Sequence, residues 1–340
     1  MDGIVLLAKT PGKTSFSSLF NVKKALNTTK VGHTGTLDSF AQGLLVVCTG
    51  RYTKLVSNIT SFNKTYLAVI SFGKETDTLE YTGNVIATSK LPLLDDLQKA
   101  LNSFQGPLLQ EPPSFSAIHI DGKRASDLAR SGKSVELAKR PITVYNSKLI
   151  DVLMDGERVL SCLVEFEVSK GTYIRALARD IAKECNSVAY LSGLYRTKVG
   201  NFNVENAAGF SLINNFNIDN CLKVENEYLS ANKEVCDFQK DSKKEYSETS
   251  EDILIKKEVI EKIVTLDEKI AIECGFYPLH LKGGEQYFSF MHGKPLKKNY
   301  FCEYIESLKN EKTFAVFYDN AFCGLLKNEQ GFLSYSFVNN

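Results

Sequence analysis

The chain has 340 residues, with 41 Lys+Arg against 40 Asp+Glu, 43% hydrophobic residues, 8 Cys, 4 His and no Trp. These are the proportions of a soluble globular protein, long enough to bury a full core and to divide into about two domains. Apolar runs such as Ile4–Ala8 and Leu44–Cys48 fall far short of the ~20 residues that cross a bilayer, so no membrane span is expected.

Asp2 precedes the first short apolar run and no small-residue cleavage site follows, which argues against a signal peptide and for a cytoplasmic protein. The cysteines are scattered, with no C-x-x-C pair, so single reduced thiols are expected rather than a zinc ribbon or a disulfide framework.

In chain order, Phe16, Leu19, Phe20 and Leu26 stand near helical spacing behind Thr14-Ser15, which predicts a capped helix over 16–27. Tyr66–Phe72 reads as a strand. Leu93–Phe104 reads as a helix, with Pro92 at its start and Leu94, Leu97, Leu101 and Phe104 on one face. Leu160, Cys162, Val164, Phe166 and Val168 alternate with the period of a strand, and a helix is expected from Thr172 with Ile174, Leu177, Ala178, Ile181 and Ala182 as its stripe. Strands and helices are interspersed, so the larger domain is expected to be mixed α/β, occupying 1–210. Residues 231–252 are charged and poor in large apolar residues, and 211–262 is expected to be a linker or insertion, partly disordered. Over 263–340, two apolar runs flank Asp319-Asn320 as a hairpin and a third follows Gly331, which predicts a small β-rich module.

Three motifs invite chemistry. Gly12-Lys13-Thr14 imitates the end of a phosphate loop, but Leu7 occupies the position where that loop needs glycine. In VGHTGTLDSFAQGLLVVCTG, residues 31–50, Asp38 follows a glycine-containing turn, and taken alone it reads as a helix cap. In SKGTYIRALARDI, residues 169–181, Tyr173 and Arg175 are two apart at a strand-to-helix passage and can face one cavity, or else pack in the core and pair with a carboxylate such as Asp180. Charge is uneven, with 25 Lys+Arg against 19 Asp+Glu over 1–210 (+6) and 16 against 21 over 211–340 (−5). Arg130, Lys133, Lys139 and Arg140 cluster in the basic part, as phosphate contacts or as a solvated face.

Taken together, these segments resemble the TruB-type bacterial tRNA pseudouridine synthases. GHTGTLD followed by GLL matches the segment with the family's nucleophilic aspartate, here Asp38. Lys64-Thr65-Tyr66 matches the segment with the active-site tyrosine, here Tyr66, and SKGTYIR carries the second tyrosine and the arginine, Tyr173 and Arg175. LYRTKVGNF, residues 194–202, matches the segment whose leucine lines the uracil pocket, here Leu194. PPSFSAIHIDGKRASDLARSG, residues 112–132, is similar to the inserted thumb, expected over about 106–145, and FSFMHGKPL, residues 288–296, is similar to the C-terminal PUA-like RNA-binding domain. Departures are Lys9-Thr10-Pro11-Gly12 for Lys-Pro-x-Gly, and His119 and Ser126 where the family commonly has lysine and tyrosine.

The resemblance implies a pseudouridine synthase core acting on the T-loop uridine at position 55 of tRNA, without cofactor or metal; a monomer is the default expectation. Asp38 would attack C1′ or promote elimination to a glycal, Arg175 would hold it ionised, and Tyr66 would accept or relay the C5 proton. Tyr173, Leu194, Lys64, His33, Arg130 and Arg140 would contact the RNA, His33 filling space left by flipped bases or else serving as a structural histidine. The alternatives are a module that binds and folds tRNA, and a synthase with another RNA target.

Overall fold

The computed structural model describes residues 1–120, 122–131, 137–233, 248–303, 313–329 and 332–339; Lys133, Cys236 and Gly331 lie outside them. Among the described residues the main sheet has nine strands, seven of them on one path: β1 (Gly3–Lys9), β2 (Gln42–Thr49), β3 (Lys64–Phe72), β4 (Gly106–Gln110), β5 (Arg140–Asp155), β6 (Arg158–Val168) and β7 (Ala189–Val199). Their order is β1-β2-β7-β3-β6-β5-β4, with Val31–His33 added beside β2 and Phe202–Asn203 beside β7. All neighbours are antiparallel except β2 and β7, which meet in parallel at Gln42–Tyr195 and Gly43–Arg196. At that crossing the backbones are so close that a Cβ on Gly43 would stand 2.3 Å from the Arg196 carbonyl oxygen, and Gly43 has φ +121°, so glycine is required there.

Both faces of the sheet are covered. On one, helices α1 (Ser15–Ala25), α2 (Leu94–Ser103) and α3 (Ile174–Glu184) are joined to the sheet by separate clusters, α2 and α3 through Leu97, Leu101, Leu177, Ala178 and Ile181 packed on Ile70, Val164 and Phe166, and α1 through Leu19 and Val22 packed on Val5, Leu7, Leu45 and Val47. Thr14 caps α1, its hydroxyl accepting the Ser17 N–H at 3.0 Å. The apolar stripe of α1 is turned from the expected one: Leu19 and Val22 are buried, whereas Phe16 is 72% exposed.

The expected linker departs from the sequence reading. Among its described residues, Ile218–Lys233 and Ser250–Lys262 are helices, α4 and α5. Ile218 and Cys221 pack on Val69 and Leu163 of the sheet, and Ile255 and Val259 join the α1 cluster. A few apolar residues per helix suffice once a ready-made apolar surface stands opposite, and average composition does not register them. Thr249 opens α5 with a capping box to Asp252.

The C-terminal sheet runs β8 (Tyr277–His280), β9 (Thr313–Tyr318), β10 (Ala321–Glu329), β11 (Phe332–Val338). Asp319 and Asn320, φ 47° and 60°, make the tight turn between β9 and β10 with the left-handed pair that two-residue hairpins favour. Phe317, Phe322 and Leu325 pack with Ile4, Leu44 and Val46 of the main sheet's end, so the module is seated on β1 and β2. No helix among the described residues is long and apolar enough to cross a membrane.

Candidate active site

Residues 34–41 form an irregular loop between the Val31–His33 strand and β2, and Asp38 sits on it. No helix follows, so Asp38 caps none; the chain enters β2 instead, because every residue of Gln42–Thr49 is buried in the sheet. Three side chains from other elements pin this loop by its backbone. Ser15 of α1 receives the Leu37 N–H at 2.8 Å and donates to the Leu37 carbonyl at 3.0 Å. Lys9 of β1 donates to the carbonyls of Ala41 (2.6 Å) and Ser39 (3.2 Å). Arg196 of β7, 2% exposed, donates to those of Leu44 (2.7 Å) and Gly35 (3.0 Å). The carboxylate of Asp38 is thereby held on a braced loop rather than a mobile one.

Arg175, near the start of α3, completes the brace. Its Nε and Nη2 donate to the two oxygens of Asp38 at 2.9 and 3.0 Å, a forked, charge-assisted pair. Nη1 donates to Thr78 O at 2.7 Å and Nη2 also to Phe115 O at 2.9 Å. The Arg175 side chain is 6% exposed and that of Asp38 32%, so the arginine is enclosed while the carboxylate keeps one side open. Asp180 is taken by Arg179, 2.8 Å away, and not by Arg175.

That open side gives onto a cavity of about 300 Å³ lined by Asp38, Lys64, Tyr66, Tyr173, Arg175, Leu194 and Arg196, with Phe115 and Ser116 from the excursion after β4. Five segments far apart in sequence thus converge. Burial pushes the Lys64 ammonium down to about 8, helped by Arg196 and Lys170, and its Nζ donates to the carbonyls of Thr60 and Phe62. A cavity of about 350 Å³ lies beyond Leu194 against α4, but its lining lacks any such carboxylate and guanidinium pair.

His33 lies just before this lining, its Nδ1 accepting the Gly35 N–H at 3.4 Å; burial, then Arg196, lowers its pKa. Arg130 and Arg140 are exposed and outside the cavity, Arg130 facing Asp127 at 3.3 Å and Arg140 standing at the start of β5.

Four groups of this neighbourhood were not singled out from the sequence: Lys9, Arg196, Glu80 and Gln110. Lys9 and Arg196 lie within quoted motifs, but only burial distinguishes them from surface cations. Burial pulls Lys9 down to about 7 against the pull of Asp38. Glu80 is pushed up to about 7 by burial, with Arg175 opposing and Asp38 adding, and it accepts the Thr82 hydroxyl at 2.7 Å. No spacing in the sequence announces Glu80 or Gln110. Among the described residues, no group of three or more His, Cys, Asp or Glu is placed to hold a metal.

Known proteins resemble this chain in sequence and in fold. Residues 23–174 match the model of the TruB family pseudouridylate synthase N-terminal domain. The chain is 41% identical over 323 residues to the tRNA pseudouridine synthase B of Treponema denticola, covering 90% of this chain and 87% of that protein. It is 44% identical over 239 residues to the tRNA pseudouridine synthase B of Borreliella burgdorferi, covering 68% and 83%. Among solved structures, a Cbf5-Nop10-Gar1 complex aligns with a TM-score of 0.61 at 20% identity over 99% of this chain and 84% of that one. An H/ACA RNP bound to a substrate RNA containing 2′-deoxyuridine aligns with a TM-score of 0.60 at 18% identity, over 98% and 82%. At such identities the structural likeness speaks for the fold alone.

Proposed function

Since this chain belongs to the TruB family of pseudouridylate synthases, we propose that it is a tRNA pseudouridine synthase that isomerises the T-loop uridine at position 55. The observation that carries the reading is the Arg175 fork on Asp38 at the wall of a cavity also lined by Tyr66, Tyr173 and Leu194. A module that merely binds RNA has no use for a braced carboxylate in the pocket of a polyanion, where it repels the ligand.

The reaction detaches uracil from C1′ and rejoins it through C5, with no change in composition. Asp38, gripped and oriented by the guanidinium, acts on the ribose at the glycosidic bond. Tyr66 and Leu194, 8% and 5% exposed, provide the flat and apolar walls that retain the detached base while it turns. Tyr66 then accepts or relays the C5 proton. The uridine is extruded from its stack at a cost of a few kcal/mol, offset by contacts of the loop with Lys64, Tyr173 and His33 and of the stem with Arg130 and Arg140. The domain reading that accompanies this is a catalytic unit at 1–210 with an RNA-gripping thumb near 106–145 and a PUA-like RNA-binding unit at 263–340. The enzyme works as a monomer in the cytoplasm, where its tRNA substrate resides.

The test is incubation with an unmodified T-arm stem-loop, then carbodiimide mapping of pseudouridine by primer extension. One pseudouridine, at the T-loop uridine, is expected, with none formed by Asp38→Asn although that variant still binds the RNA. Binding without modification by the wild type would transfer the reading to a tRNA-binding and folding module. A product at a different uridine would name another target.

A further inference from the structure

Gln110 is the last residue of β4, where it pairs with Arg140 of β5, so residues 111–139 leave the sheet and return to it at this pair. The residue is 3% exposed. Its side-chain amide reaches across to α3, donating Nε2–H to the Tyr173 carbonyl at 3.1 Å and accepting the Tyr173 N–H on Oε1 at 2.9 Å. Tyr173 stands before the first turn of α3 with extended dihedrals, φ −97° and ψ 109°, and its own side chain caps nothing. The amide therefore plays the part of a neighbouring strand's peptide group.

Gripping the N–H and the C=O of one residue restrains both of its soft dihedrals. Those dihedrals aim the Tyr173 ring at the cavity and set the direction in which α3, with Arg175 two residues on, leaves the strand. The same helix holds the next residues of the excursion, Arg179 donating to Glu111 O at 3.0 Å and Arg175 to Phe115 O at 2.9 Å. We propose that Gln110 is a positioning residue whose amide bracket on Tyr173 fixes the Tyr173 and Arg175 geometry at Asp38 and ties the root of the excursion to the site. The proposal rests on the functional reading above. The amide is the uncharged side chain that offers a donor and an acceptor side by side, which is what the bracket demands.

Two variants and one exchange measurement test it. Gln110→Met keeps the length and loses both bonds; kcat on the stem-loop is expected to fall on the order of 10- to 100-fold while RNA affinity changes by less than about threefold. Gln110→Glu keeps the acceptor but sets a second oxygen against the Tyr173 carbonyl. On protonation it regains a donor beside an acceptor, so its deficit relative to wild type at the same pH shrinks as pH is lowered toward about 5, whereas that of Gln110→Met does not. In the wild type, the Tyr173 amide is expected to be strongly protected from hydrogen exchange. A folded Gln110→Met with wild-type kcat, a loss confined to binding, a Gln110→Glu deficit independent of pH, or free exchange at Tyr173 would each overturn the proposal. An inactive wild type would instead overturn the functional reading, and the exchange result would still judge the bracket.

Discussion

Replacing Arg175 by lysine keeps a positive charge beside Asp38 and removes the fork. The guanidinium makes four hydrogen bonds, two to the Asp38 oxygens at 2.9 and 3.0 Å and one each to Thr78 O and Phe115 O at 2.7 and 2.9 Å. An ammonium group is a point donor on a shorter reach and cannot span both carboxylate oxygens and two carbonyls on different sides. At least two acceptors lose their partner, and a buried acceptor left bare costs roughly 1–3 kcal/mol. The Asp38 side chain is 32% exposed and recovers water contacts, which discounts its share. The net expectation is about 2–4 kcal/mol of lost stability. Activity should suffer beyond that, because a carboxylate free to rotate by a few tenths of an ångström loses its alignment with the sugar; a fall on the order of 10²–10³ in the single-turnover rate is expected. Single-turnover pseudouridine formation with saturating enzyme, run beside urea unfolding, separates the two effects. If Arg175→Lys turned over within about threefold of wild type, charge alone would be needed there and the argument from the fork would be wrong.

Two further predictions concern the periphery. Both ring nitrogens of His280 in β8 face carboxylates, Nδ1 to Glu303 at 2.5 Å and Nε2 to Glu268 at 2.9 Å. Burial lowers its pKa, but the hydrogen bonds of Glu303 and Glu268 outweigh this and raise it above the ordinary value. The imidazolium thus contributes stability that is complete below about pH 6.5 and lost as pH rises through the raised folded-state pKa. The difference in urea-derived stability between wild type and Glu303→Gln should be largest at pH 5.5 and shrink by pH 8.5, by roughly 0.5–1 kcal/mol for this partly exposed group; a difference growing with pH would contradict the assignment. For Arg140, exposed at the root of the excursion, neutralisation by Arg140→Gln should lower the slope of log K against log salt for stem-loop binding by about 0.7–0.9, with little change in the rate at saturation. An unchanged slope would mean that Arg140 faces solvent.

What was legible in the sequence is what depends on neighbours within a few residues. The alternation from Leu160 to Val168 became β6, the 174–182 stripe became α3, and Asp319-Asn320 became the hairpin turn. Those patterns are periodic because one face of each element meets a core, and that period is written into the chain. Asp38, Tyr66, Tyr173, Arg175 and Leu194, which line one cavity, stood out in the sequence only in company. Singly, Asp38 read as a cap and Arg175 as a partner for Asp180.

Only the tertiary structure chose among these readings, because Asp38 and Arg175 are 137 residues apart and nothing local to either specifies the other. The same holds for the buried cations Lys9 and Arg196, which look like surface residues until the carbonyls of the 34–41 loop and the start of β2 are placed around them. It holds for Glu80, whose raised pKa comes from burial, and for Gln110, whose bond partner is a backbone 63 residues away. The helices at 218–233 and 250–262 were hidden for a related reason, since their few apolar residues acquire meaning only against the apolar surfaces that the main sheet and α1 supply. Periodicity reports that a residue is to be buried; which group it meets there is set by the fold that brings distant segments together.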